Sequence, residues 1–507
     1  MSMKKSNYQI PKIILISFLI LLLGNCHIRA QYSVRNTNIQ PIEIYTENPM
    51  YWQYKGEPVL LLGGSVQDNL FQIDNLKEHL DLLASVGGNY VRSTMSSRDP
   101  GNAKPFEMKN GLYDLDEPGV EYWNRFTTFL DLALERDIIV QVEIWATYDF
   151  YWGDRWADNP FNPLINNTYT TSESRLPEIV DYPPQTQNNP FFRTVPELDN
   201  NKIVLEYQQK FVDKLMSIAL QYPNVLYCID NETKARPEWG RYWSAYIRDI
   251  AEKAGKKIYV TEMWDNWDPT NGLVPGAVTQ HPDLGQWYSE YLNLELSSWA
   301  KPSNTINDPE SYQFIDISNN NAQRCEVHYN TSLFVRNHVL FSRYPRPINN
   351  VKIYGGMMNT IGHDNIHWAA FHKDGEERFW RNIFAGHASA RFHRPDWGMG
   401  LNHVAQHHIK SMRMLTDSLD FFNMKPANHL LTNREENEAF CISIDDKEFA
   451  IYFTGKGDVS LNVPPGEYEV NWLQIRSSQW GEPYTMQFPG TLKTPSDDQW
   501  AVLIRRI

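Results

Sequence analysis

The amino-acid sequence predicts a (β/α)8 barrel followed by a small antiparallel β-sandwich. Three observations carry this. Eight short apolar segments alternate with helical ones between residue 58 and about residue 426. Those segments are continuously apolar, as strands buried on both faces of a parallel sheet are. Beyond residue 426 the texture changes to alternating residues broken by turn signals, which reads as hairpins. The chain has 507 residues, room for two or three domains. The divisions expected are a signal at 1–30, the barrel at 31–426 and the β-sandwich at 427–507.

The elements follow in order. "PVLLLGGS" (58–65) is the first barrel strand, and Leu76, Leu80 and Leu83 recur at helical spacing after it. "NYVRSTMSS" (89–97) and "IIVQVEIWATY" (138–148) are the second and third strands, separated by the helical "YWNRFTTFLDLALERD". A long aromatic and proline-rich insertion runs to about residue 200. "NVLYCIDNET" (224–233) is the fourth strand, and Pro237 opens the helix behind it. "IYVTEMWDNWD" (258–268), "YQFIDISNNN" (312–321), "VKIYGGMMNT" (351–360) and "SARFHRP" (389–395) complete the eight. A doubly wound sheet would want a glycine-rich phosphate turn after its first strand. "LLGGSVQDN" lacks the GxGxxG spacing, which argues against a dinucleotide site. In the C-terminal part, Asp445-Asp446, Gly455-Lys456-Gly457 and Pro464-Pro465-Gly466 mark the expected turns.

The N-terminus reads as an export signal. Lys4, Lys5 and Lys12 precede "IILISFLILLLG", too short to span a bilayer comfortably and suited to a signal core. Cleavage after Ala30 would release a periplasmic or secreted protein with no transmembrane segment in the mature chain. Lipid anchoring at Cys26 is the alternative. The formal net charge of −14 excludes a general nucleic-acid binder. Only Cys228, Cys325 and Cys441 remain beyond the signal, none with zinc spacing. No cofactor or metal is implied. His403 and His407 share a helix face without a Glu-x-x-His pattern and read as solvated. The sequence sets no oligomeric state.

A barrel builds its site at the C-terminal ends of its strands. Polar residues gather there: Ser65, Gln67 and Asp68; Arg92 and Ser96; Glu143 and Trp145; Asp230, Asn231 and Glu232; Glu262, Trp264 and Asp265; Asp316 and Asn319; Asn359, His363 and Asp364; Arg391 and His393. Carboxylates and amides bind sugar hydroxyls, and tryptophan faces stack on sugar rings. Two carboxylates are what glycosidic cleavage requires, one to protonate the leaving oxygen and one to attack or to activate water. The long Trp-, Tyr- and Asn-rich insertions after strands three and five suit a carbohydrate groove.

Asn231-Glu232 at the end of strand four resembles the Asn-Glu pair of the large retaining glycosidase superfamily with (β/α)8 barrels. "FIDISNNN" and "FWRNIFAGHASARFHRP" add to a likeness with exported bacterial glycosidase-like proteins, whose barrel precedes a collagen-binding-like β-domain. The resemblance covers the chain from about residue 51 to the end. It implies that Glu232 is the acid/base, its pKa raised by burial and a neighbouring carboxylate, and that Asn231 holds the sugar 2-hydroxyl. That superfamily places its nucleophile glutamate at the end of strand seven. "VKIYGGMMNTIGHDN" has no glutamate there, so Glu262 or Asp364 would serve. Retention or inversion stays open.

The same residues admit structural roles. Trp145 and Trp264 either flank sugar subsites or pack the core. Arg92, Arg391 and His393 either make internal ion pairs or face the cleft. In the cleft they would grip the carboxylate or sulfate of an acidic polysaccharide. Two functions follow: a glycoside hydrolase acting on a polysaccharide or its oligosaccharides, or a carbohydrate-binding protein on a degenerate glycosidase barrel.

Overall fold

The computed structural model describes residues 39–180, 186, 188–265, 303–318, 325–355 and 372–507. The export signal, Asn319, Asn359, His363 and Asp364 lie outside the described residues.

Six parallel strands form one sheet. They are β1 (Leu61–Gly64), β2 (Tyr90–Thr94), β3 (Ile139–Trp145), β4 (Val225–Asp230), β5 (Val260–Thr261) and, beyond β1, β8 (Ser389–Phe392). The pair β6 (Ile315–Asp316) and β7 (Ile348–Asn349) forms a second parallel ladder. Backbone hydrogen bonds link the two sheets at both margins. The Gln313 N–H donates to the Val260 carbonyl (2.9 Å), and the Ala388 N–H to the Ile348 carbonyl (2.9 Å). The central strands are buried along their whole length, which explains their unbroken apolar runs.

Helices follow the strands as the periodicity predicts: α1 (Leu76–Ser85), α2 (Val120–Leu134), α3 (Lys202–Ala219), α4 (Pro237–Lys253), α5 (Cys325–Leu340), α6 (His372–Phe384) and α7 (His403–Asp417). Asn201 caps α3 and Asn402 caps α7, each accepting from a backbone N–H in the first turn. None of the helices among the described residues is long and apolar enough to cross a membrane.

The seventh strand departs from expectation. Its ladder lies at Ile348–Asn349, and within 351–355 only Ile353 makes an isolated bridge, to Phe392. Asn349-Asn350 resembles turn chemistry, but both residues are buried and satisfied. Asn349 accepts from Trp52 Nε1 (3.0 Å) and donates to the Tyr90 hydroxyl (2.9 Å). Trp52 comes from an antiparallel sheet (Glu43–Ile44, Trp52–Tyr54, Glu57–Val59) and packs edge-on against Tyr259 and Phe314.

The C-terminal region is one large antiparallel sheet rather than two separate ones. Its spine is the 17-residue strand Asp458–Gln474, which pairs with Tyr484–Lys493 on one side and Trp500–Arg506 on the other. Pro464-Pro465-Gly466 is not a hairpin turn. The strand runs through it with a register shift between Leu461 and Gly466. Phe449, Ile451, Phe453, Leu461, Tyr468 and Val502 are among the buried residues of its own core. Tyr452 stacks on Trp380 of α6 at 4.8 Å, joining this sheet to the helices.

Candidate active site

A row of polar side chains joins the two parallel sheets. The Tyr90 hydroxyl donates to Gln141 (2.6 Å), and Gln141 donates to Asp316 (2.9 Å), all three buried. Period-two alternation brings the next inward residues, Arg92 and Glu143, one step closer to the strand ends. Arg92 is fully buried between Glu143 and Asp68, with ion pairs to both.

Asp68, just beyond β1, gathers further basic side chains. Arg98 lies at 2.9 Å, Arg394 at 3.3 Å and His393 Nδ1 at 3.8 Å. Burial pushes the Asp68 carboxyl up, but Arg92, Arg394 and Arg98 outweigh it and hold it well below the carboxylate range. Burial holds His393 well below the usual imidazole value, hence neutral at pH 7. It packs edge-on to Tyr354 at 4.8 Å.

Glu232 stands above this cluster. Its φ is +58°, a left-handed conformation uncommon for a residue with a Cβ. Three contacts fix the turn. The Asn231 N–H donates to the Trp145 carbonyl (3.0 Å), the Thr233 N–H to the Met263 carbonyl (2.8 Å), and Thr147 Oγ1 to the Asn231 carbonyl. Lys352 Nζ, just past β7, lies 2.7 Å from Glu232 Oε1 and also donates to Asn231 Oδ1. The Tyr354 hydroxyl donates to the same Glu232 oxygen (3.3 Å). Burial raises the Glu232 carboxyl, but the charge and hydrogen bond of Lys352, helped by Arg92, reverse this and hold it below its ordinary value. The expected upward shift is therefore corrected: the neighbour that decides it is a cation.

Glu262 is also corrected. It is fully buried, its Oε1 accepting from the Asp230 and Met263 N–H groups (2.8 and 3.2 Å). It packs against α4, where a Cβ on Gly240 would meet Glu262 Oε2 at 2.6 Å and the Tyr312 hydroxyl at 2.4 Å. Burial and Asp230 push its carboxyl well up. It is therefore closed off from solvent. Asp230, also buried, accepts from Trp239 of α4 and is raised to about 7 by burial.

The two tryptophans are core residues. Trp145 sits among Phe150, Phe161, Phe191, Phe211, Trp239 and Trp243, at ring separations of 5.3 to 6.4 Å. Trp264 is buried and donates to Thr305 (2.8 Å). Neither offers a face to a sugar. Arg391 is likewise sealed, bonded to Ser65 Oγ and the Val351 carbonyl, and burial with the nearby Arg92 lowers it to about 9. Arg92 and Arg391 thus both hold partners within the interior.

Lys352 and Tyr354 are not among the residues the sequence singles out, because the predicted seventh strand runs on to residue 360, past both of them. The signal was present: in "VKIY" a lysine and a tyrosine alternate with two apolar residues. Asp265 was seen at a strand end but not singled out. Its side chain is about 31% exposed, close to the 30% of Glu232.

No family model and no curated protein matches the sequence. Solved structures do. A glycoside hydrolase family 5 structure from Bacteroides vulgatus ATCC 8482 superposes with a TM-score of 0.57 at 13% identity, covering 92% of this chain and 93% of that one. A second, described as a glycoside hydrolase, gives 0.55 at 10% identity, covering 92% and 97%. At these identities the likeness is one of fold, and its extent takes in both the parallel strands and the C-terminal sheet.

Proposed function

We propose that the protein is a glycoside hydrolase, cleaving O-glycosidic bonds of a polysaccharide or its oligosaccharides with Glu232 as an essential carboxylate. In this reading the two parallel sheets are arcs of one (β/α)8 barrel (31–426), and 427–507 is an appended β-domain. Residues 1–30 export the chain to where polysaccharides are met. The fold shared with proteins described as glycoside hydrolases supports the class. The observation that carries the reading is the placement of Glu232. It is partly open to solvent, at the end of the fourth strand, in a strained turn clamped from β3, β5 and the chain beyond β7. Strain held in place by independent contacts is characteristic of functional positions.

Lys352 and Tyr354 keep Glu232 ionised and aimed, so it acts as a nucleophile or a base toward the anomeric centre. The same ion pair favours a second reading, glycan binding without cleavage, because it occupies one carboxylate oxygen. Reducing-end release from a panel of polysaccharides and aryl glycosides separates the two. The hydrolase reading expects turnover of at least one substrate and a loss of about 10²-fold or more in Glu232→Gln. Glycan binding with no turnover by the wild type would establish the other.

A further inference from the structure

The cluster at the strand ends holds many carboxylates, and nearly all are closed off. Glu143, Asp230 and Glu262 are fully buried, Asp68 and Asp316 nearly so, and Asp149 is buried under Ser96 and Arg98. Among the described residues, two open carboxylates stand beside strands four and five: Glu232 and Asp265. Asp396 is open as well, but its charged neighbours are Arg394, Asp68 and Arg98, and Arg394 pairs with it at 3.2 Å.

Backbone pairing sets Asp265 opposite Lys234, one bridged pair along from Glu232. Thr233 bridges Trp264 in parallel, and the Asp265 N–H donates to the Thr233 carbonyl (2.9 Å). Residues 232 and 265 therefore flank one hydrogen-bonded junction between adjacent strand ends. From this geometry we infer that Asp265 is the second catalytic carboxylate, the proton donor to the leaving oxygen, opposite an ionised Glu232. This rests on the glycoside hydrolase reading above.

The electrostatics agree. The groups facing Asp265 are Glu232 and Lys234 from the fourth strand's end and Lys352 from beyond β7. Burial and then the Glu232 charge raise its carboxyl, against Lys234 and Lys352, while Glu232 is held down. Neighbouring acids pushed apart in this way are suited to separate acid and base roles. The Lys234 pair, at 3.1 Å and partly exposed at both ends, is a weak surface contact that leaves the carboxyl free to exchange its proton.

In the step inferred, the glycosidic C–O bond breaks and its electron pair stays on the leaving oxygen, which takes the Asp265 proton. The anomeric carbon gains an oxygen from Glu232, or from a water whose proton passes to Glu232. In the first case water later displaces Glu232 and returns a proton to Asp265. One water is consumed per bond either way.

The test compares two probes built on a sugar the wild type accepts. One is an unactivated oligosaccharide. The other is the 2,4-dinitrophenyl glycoside, whose leaving group needs no proton. Asp265→Asn is expected to lower kcat/KM on the oligosaccharide about 10²- to 10⁴-fold, and on the dinitrophenyl glycoside by less than about tenfold. Glu232→Gln should lose both. In the unaltered protein, the basic limb of the pH profile should appear with the oligosaccharide and vanish with the activated probe, a readout that does not depend on the variant folding. Equal loss on both probes, or a basic limb common to both, overturns the assignment of Asp265. A wild type inert to every glycoside, or an active Glu232→Gln, overturns the underlying reading instead.

Discussion

The Lys352–Glu232 pair joins two groups of unequal exposure, and that inequality has a measurable consequence. The charges are 2.7 Å apart, Lys352 is 2% exposed and Glu232 30%. At an effective dielectric of about 20 their attraction is about 6 kcal/mol before desolvation is subtracted. Most of the desolvation falls on the lysine, since water still reaches the carboxylate. Removing the acid (Glu232→Ala) leaves a buried ammonium with a hydrogen bond to Asn231 Oδ1 but without its ion-pair partner, a loss of about 3–5 kcal/mol. Removing the base (Lys352→Met) leaves a carboxylate that rehydrates and fills the lysine's place with an apolar chain, a loss of about 1–2 kcal/mol. The double variant should then be more stable than Glu232→Ala alone by about 2 kcal/mol. Urea unfolding followed by tryptophan fluorescence at pH 7 measures all four corners of the cycle. The Glu232 carboxyl is depressed in the folded state. Its coupling is therefore present above the unfolded value of about 4.3 and lost as pH falls through the folded value. Equal costs for the two single variants, or a costlier Lys352→Met, would refute a buried cation held by an open acid.

Two further outcomes are expected. Asp230 is raised to about 7 in the fold, so the stability it allows is full below about pH 4 and is lost as pH rises through 7. Asp230→Asn keeps an acceptor for Trp239 and should raise stability by about 2–4 kcal/mol at pH 8 with little change near pH 4, read from urea midpoints. Trp145→Ala should cost about 3–5 kcal/mol of folding stability, whereas Trp145→Phe should leave glycan affinity by calorimetry unchanged, because the ring fills the core and touches no ligand.

Much of the architecture was legible in the residue pattern. Strand and helix periods, the parallel arrangement and the change of texture after residue 426 are local properties of composition and spacing, and local propensities suffice to set them. The position of Glu232 at the end of strand four followed from the same pattern. Tertiary structure decided which polar residues stay open to solvent. Trp145, Trp264, Glu262, Arg92 and Arg391 share the strand ends with Glu232, yet packing against α4, the aromatic cluster or one another closes them off. The charge state of Glu232 was beyond the sequence altogether, because its deciding partner Lys352 follows at a separation of 120 residues. Periodicity says which residues share a face. Which of them water and ligand reach depends on strand twist and on charges that only the folded chain brings together.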